Sequence, residues 1–66
     1  MLDRKEIGAR LRTLRGSRPG TKVAKDCGIS SSALYMYESG KRIPSDDVKV
    51  ILASYYKRSV QTIFFK

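Results

Sequence analysis

No histidine occurs anywhere in the 66 residues, and Cys27 is the single cysteine. These two shortages remove several chemistries at once. No intramolecular disulfide can form, and no Cys/His zinc site can be assembled. With few acids as well, no convincing nucleophile–base pair is available, so the chain is read as no enzyme, with no cofactor and no metal. No apolar run approaches the ~20 residues of a membrane-spanning helix. The opening Met-Leu-Asp-Arg-Lys-Glu is charged and lacks an apolar stretch, so no secretory leader is expected. A lone thiol and no leader point to a reducing cytoplasm. Repeats and low-complexity tails are also missing. Residues 1–66 are therefore expected to form one small domain with a thin core, since a chain of this size buries only about 60% of its unfolded surface.

Negative charge is scarce. Fourteen Lys and Arg stand against six Asp and Glu, a net charge of +8. A surplus of that size favours an anionic partner, nucleic acid before anionic membrane. Residues 4 to 25 concentrate it, with eight basic residues and one acidic one. A membrane-surface helix over the first segment is the competing use of such a stretch. Its apolar stripe is narrow, however, and a core needs it.

What is present reads as five short helices. Over Asp3 to Arg15, Ile7, Leu11 and Leu14 recur at helical spacing, Asp3 and Glu6 have the spacing of a capping box, and Gly16 is a stop. Over Gly20 to Cys27, Val23, Ala24 and Cys27 form a small apolar face, and Gly28 ends the helix in the left-handed conformation. The sequence leaves the start of this helix open: Pro19 is one candidate for the first helical residue, where its missing N–H does no harm, but Arg18 would then be a poor cap. Over Ser31 to Ser39, Ser30 is the cap and Ala33, Leu34 and Tyr37 face inward. Over Asp46 to Tyr56, Ser45 caps, Asp46 and Asp47 complement the helix dipole, and Val48, Ile51, Leu52 and Tyr55 make the stripe. Over Val60 to Phe65, Ser59 caps, and Val60, Ile63 and Phe64 share a face. Cys27 fits a small core residue, with a redox switch as the sharper alternative. The expected fold is all-α: a compact five-helix domain with connections of two to six residues.

The second and third segments are joined by Cys27-Gly28-Ile29-Ser30, a short glycine turn between two short helices, which is the helix-turn-helix arrangement. Ala24 is small enough for close approach, and Ile29, Leu34 and Tyr37 would fix the crossing from inside. The chain here resembles the phage-repressor and Cro-type helix-turn-helix proteins, also called the Xre family, from about Ile7 to Phe65. The landmarks are Ile7-x-x-x-Leu11-x-x-Leu14-Arg15, Val23-Ala24-x-x-x-Gly28-Ile29-Ser30, Ala33-Leu34-x-x-Tyr37-Glu38-x-Gly40, Arg42-Ile43-Pro44 and Ser59-Val60-x-x-Ile63-Phe64. The resemblance implies a lambda- or 434-repressor-like domain of bacterial or phage type, with its third helix in the major groove of double-stranded DNA.

It also implies roles. Ser31, Ser32 and Met36 fall where family members touch base edges, with Tyr35 beside them. Serine can serve any base edge, so it discriminates weakly, and Met36 suits a thymine methyl. Met36 could instead fill a gap in the core, and Tyr35 could instead cover the first helix. Lys41, Arg42, Arg18 and Lys22 are expected at phosphates, which position the protein and make affinity salt-dependent. Glu38 would repel phosphate if exposed; the family turns it inward against the position of Arg15, as a structural ion pair. At the start of the second helix the family's Ser/Thr-Gln is replaced by Pro19-Gly20, so Arg18 or Lys22 would have to substitute for that phosphate contact.

The leading expectation is a sequence-specific transcriptional regulator, a repressor on a short palindromic operator. It would act as a homodimer joined through the C-terminal region around Tyr56, Phe64 and Phe65, because an apolar end on a small domain wants cover. Two alternatives stand beside it. One is an antitoxin that autoregulates its operon and binds a toxin (an antirepressor being a further partner of this kind). The other, from a different class, is a basic protein binding RNA or the ribosome without sequence readout.

Overall fold

Four of the five helices begin where a short polar side chain can accept a hydrogen bond from an amide one turn ahead. In the computed structural model, which describes residues 2–65, these are α1 (Arg4–Arg15), α3 (Ser31–Glu38), α4 (Asp46–Tyr56) and α5 (Val60–Phe64). Asp3 accepts from the Glu6 N–H at 2.9 Å and Ser30 from that of Ala33 at 3.0 Å. Ser45 accepts from Val48 at 3.4 Å and Ser59 from Thr62 at 3.1 Å. Each such cap contributes about 1 kcal/mol. The exception is α2 (Gly20–Cys27): Pro19 is its N-cap, in extended backbone, and no side chain caps the helix. Pro19 therefore precedes the helix instead of opening it. Its ψ of 135° is the extended geometry of a residue leading into a helix.

The five helices enclose one core, and no strand occurs among the described residues. Ile7 and Leu11 from α1, Val23, Ala24 and Cys27 from α2, and Leu34 and Tyr37 from α3 meet Leu52, Ala53 and Tyr56 from α4 and Ile63 and Phe64 from α5. Leu14, Ala33, Val48, Tyr55 and Val60 pack half-buried around it. The whole measures 27 × 22 × 22 Å.

Helix α4 is turned from the expected orientation. Its inward residues are Lys49, Leu52, Ala53 and Tyr56, while Ile51 is 41% exposed and Val50 58%. Lys49 explains the rotation. Its stem is buried, and its ammonium lies 5.8 and 5.3 Å from the Phe64 and Phe65 ring centres and 3.6 Å from Asp46. A long cationic side chain thus covers α5 with its methylenes while its charge keeps polar and aromatic company. The same rotation corrects the expected dimer surface. Tyr56 and Phe64 are core residues, 6% and 0% exposed, because both close the space between α4 and α5. Of that trio only Phe65 is exposed.

Helices α1 and α3 approach each other backbone to backbone at Gly8. A Cβ on Gly8 would run into the Glu38 carbonyl oxygen and would lie 2.8 Å from that of Tyr37. Backbone cannot yield as a flexible side chain would. Gly8→Ala is therefore expected to lower stability by about 1–3 kcal/mol, read by urea unfolding. Tyr56→Phe should behave oppositely. The Tyr56 hydroxyl is buried with no hydrogen-bond partner among the described residues, and burial pushes its pKa up to about 12. Removing it should leave stability equal or raised, because an unmatched buried hydroxyl costs about 1–3 kcal/mol.

Candidate nucleic-acid interface

The turn between α2 and α3 is closed by backbone alone. The Gly28 N–H donates to the Lys25 carbonyl and the Ile29 N–H to the Ala24 carbonyl, at 3.1 and 3.0 Å. Gly28 sits at φ 72°, ψ 27°, the left-handed geometry this closure requires. Ile29 follows and packs half-buried against the core. The chain thereby leaves α2 and enters α3 within three residues, with Ser30 already in place as the cap.

Helix α3 is divided along its length. Leu34, Tyr37 and Glu38 are buried. Ser31, Ser32, Tyr35 and Met36 are exposed and together span roughly 140° of the helix circumference at ~100° per residue. Tyr35 is 59% exposed and Met36 37%, so neither fills the core. The helix ends in a second backbone closure. Both Lys41 and Arg42 donate their N–H groups to the Met36 carbonyl, at 2.9 and 3.2 Å. That ties two exposed cations to the end of the exposed face. The Lys41 ammonium lies 5.9 Å from the Tyr35 ring centre.

Glu38 points the other way. Arg15 donates from Nε at 2.7 Å and from Nη2 at 3.0 Å to the two carboxylate oxygens, a fork-to-fork pair. The Glu38 hydrogen bonds raise the Arg15 pKa. Arg15 also donates to the Arg18 carbonyl at 2.8 Å, which ties the α1–α2 loop to the same point. The acid is thus masked from the exposed face of α3.

Arg18 and Lys22, the other two expected phosphate ligands, have engagements of their own. The Arg18 guanidinium lies over the Tyr55 and Tyr56 rings, 5.7 and 5.5 Å from their centres. Lys22 pairs with Asp26 at 3.3 Å one turn along α2. The same Asp26 oxygen accepts from the Tyr55 hydroxyl at 2.9 Å. Asp26 is held below its ordinary pKa, first by the Tyr55 hydrogen bond and then by Lys22. The Lys22–Asp26 spacing is legible in the sequence; Tyr55, 29 residues away, is not. Buried beside Asp26, the Cys27 thiol is pushed up from its ordinary pKa by desolvation and then by that carboxylate, the reverse of what a redox switch requires.

The arrangement is that of a helix-turn-helix DNA-binding domain: a backbone-closed glycine turn carrying a short helix with an exposed outer face and cations just beyond its end. The chain belongs to a helix-turn-helix domain family of Xre/Cro type, whose match spans residues 6–62. No curated protein and no solved structure matches it. Among the described residues no helix is long and apolar enough to cross a membrane, and no group of His, Cys, Asp and Glu could hold a metal ion.

Two measurements check this geometry. Replacing Glu38 by Ala leaves the half-buried Arg15 without its counter-charge, and stability should fall by about 1–3 kcal/mol in chemical denaturation. Tyr55→Phe should move the Asp26 carboxyl back up towards 3.8 in an NMR titration, because its largest stabilising contact is gone. The sign follows from a depressed pKa: the contribution of Asp26 is present above 3.8 and is lost as pH falls through its folded value.

Proposed function

We propose that the chain is a sequence-specific transcriptional regulator, a repressor that binds a short palindromic operator as a homodimer. The observation that carries this reading is the division of α3. Ser31, Ser32, Tyr35 and Met36 stand clear of the core on one face, while the only acid of the helix is turned inward onto Arg15. Serine hydroxyls can donate to or accept from base edges, and the Met36 thioether chain suits a thymine methyl. Lys41 and Arg42 serve phosphates beside the groove. The uncapped amides at the start of α2 supply a further anion-binding point where the family's glutamine is missing. Arg18 and Lys22 are both exposed beside the start of α2 and add positive charge there while engaged with Tyr55, Tyr56 and Asp26. Two copies would meet half-sites about 34–36 Å apart, one helical turn.

Selection of bound sites from random duplex DNA tests the reading. A defined motif with two inverted halves is expected. Met36→Ala and Ser32→Ala should flatten preference at particular base pairs, by about 1 kcal/mol each. Lys41→Ala and Arg42→Ala should weaken binding to all sequences alike and lower the salt slope by about one each. Equal binding to unrelated duplex DNA and RNA at moderate salt would instead identify a general polyanion binder and remove the regulator reading.

A further inference from the structure

The first turn of α1 carries charge of the wrong sign for its own helix. Arg4 and Lys5 open the helix, where the aligned amide dipoles disfavour a cation. Both side chains are exposed, and neither forms an ion pair among the described residues. Arg15, Lys22 and Lys49, by contrast, each face a carboxylate, of Glu38, Asp26 and Asp46 respectively. Helix stability and internal pairing therefore leave Arg4 and Lys5 unexplained.

Their place in the fold supplies a use. The chain bends after α3 at Gly40. A Cβ there would lie 3.2 Å from both Cα and Cγ of Lys5 and 3.4 Å from the carbonyl carbon of Arg4. The start of α1 thus rests on the turn that carries Lys41 and Arg42. Direction agrees with position. Gly8 marks the side of α1 that meets α3. At ~100° per residue, Arg4 and Lys5 project within roughly 60° of that side, and Glu6 roughly 160° from it. Asp3, the other acid here, is engaged as the N-cap and accepts from the Glu6 N–H at 2.9 Å. Four exposed cations, Arg4, Lys5, Lys41 and Arg42, therefore gather just beyond the end of α3.

We infer that the first turn of α1 is a phosphate-binding element of the DNA interface, in which Arg4 and Lys5 hold the duplex backbone beside the phosphates taken by Lys41 and Arg42. The ligand is a run of phosphodiesters. Arg4 can present its fork to two phosphate oxygens, and Lys5 acts as a point charge. The phosphates supply the counter-charge that the fold does not. Both cations stand off the exposed face of α3, so they position the protein and carry no sequence information. This role rests on the reading of α3 as the DNA-facing helix, and extends its interface to a helix outside the helix-turn-helix pair.

Fluorescence anisotropy with a labelled mixed-sequence duplex of about 20 base pairs, from about 25 to 200 mM salt, tests it without knowledge of the operator. Arg4→Ala and Lys5→Ala should each make the slope of log affinity against log salt shallower by about 0.9, and weaken binding about three- to tenfold at 0.1 M salt. Neither should lower the melting temperature, since each removes a cation from the positive end of a helix dipole. Arg4→Lys should keep the slope, which counts charges. Lys57→Gly should also keep it: Lys57 lies at the far end of α4, at φ 57°, where glycine fits. Slopes that neither alanine variant changes overturn the inference. So does a change that Lys57→Gly reproduces, which would report net charge alone. If Lys41→Ala and Arg42→Ala still make the slope shallower when the α1 variants do not, the α3 reading stands without this element. If all four leave it unchanged, that reading fails as well.

Discussion

Helix α3 can offer one face outward because its last turn is held backbone-close to α1. Gly8 removes the side chain that would keep the helices apart, and the Arg15–Glu38 fork spans the gap once they meet. The second contact depends on the first, since a guanidinium reaches a carboxylate at 2.7 Å only from a nearby helix. Together they settle where the acid of α3 goes. They also anchor the loop before α2, through the bond from Arg15 to the Arg18 carbonyl. A domain this small has little apolar area to spare, so a charged clamp at the core's edge contributes orientation that packing alone would leave loose.

The exposed face follows from that clamp and from the two backbone closures around α3. Gly28 sets where the helix begins, Ser30 caps it, and the turn after Glu38 hangs Lys41 and Arg42 from the Met36 carbonyl. Short uncharged side chains then lie along one face of the helix, with two cations just beyond its end. Serine hydroxyls discriminate weakly between bases. On the proposed reading, selectivity would then rest on Met36, Tyr35 and the deformability of the DNA. Arg18 and Lys22 occupy a different position in this scheme. Their contacts with Tyr55, Tyr56 and Asp26 tie α2 to α4, so their first structural duty is to hold the helix-turn-helix pair onto the rest of the domain.

Local signals were legible in the sequence and distant ones were not. Asp3, Ser30, Ser45 and Ser59 cap the helices expected of them, because a cap needs only residues one turn away. The stop at Gly28 is of the same kind. Helix α4 defeated periodicity, since Val48, Ile51, Leu52 and Tyr55 and the set Leu52, Ala53 and Tyr56 are both plausible stripes. Packing of the Lys49 stem over α5 decided between them, and no helical pattern places a lysine on the inside. That rotation buried Tyr56 and turned Ile51 out, so it changed the expected association surface as well as the core. Gly8 carries no local signal at all; only the arrival of α3 gives its missing side chain a meaning.

The outward face of α3, with the two cations that follow it, is the proposed surface for DNA. NMR of the labelled chain titrated with a short duplex tests it most directly. The largest shifts are expected on Ser31, Ser32, Tyr35, Met36, Lys41 and Arg42, with smaller ones at the start of α2. Shifts centred on the outward face of α4, or on α5, with α3 unmoved, would contradict it.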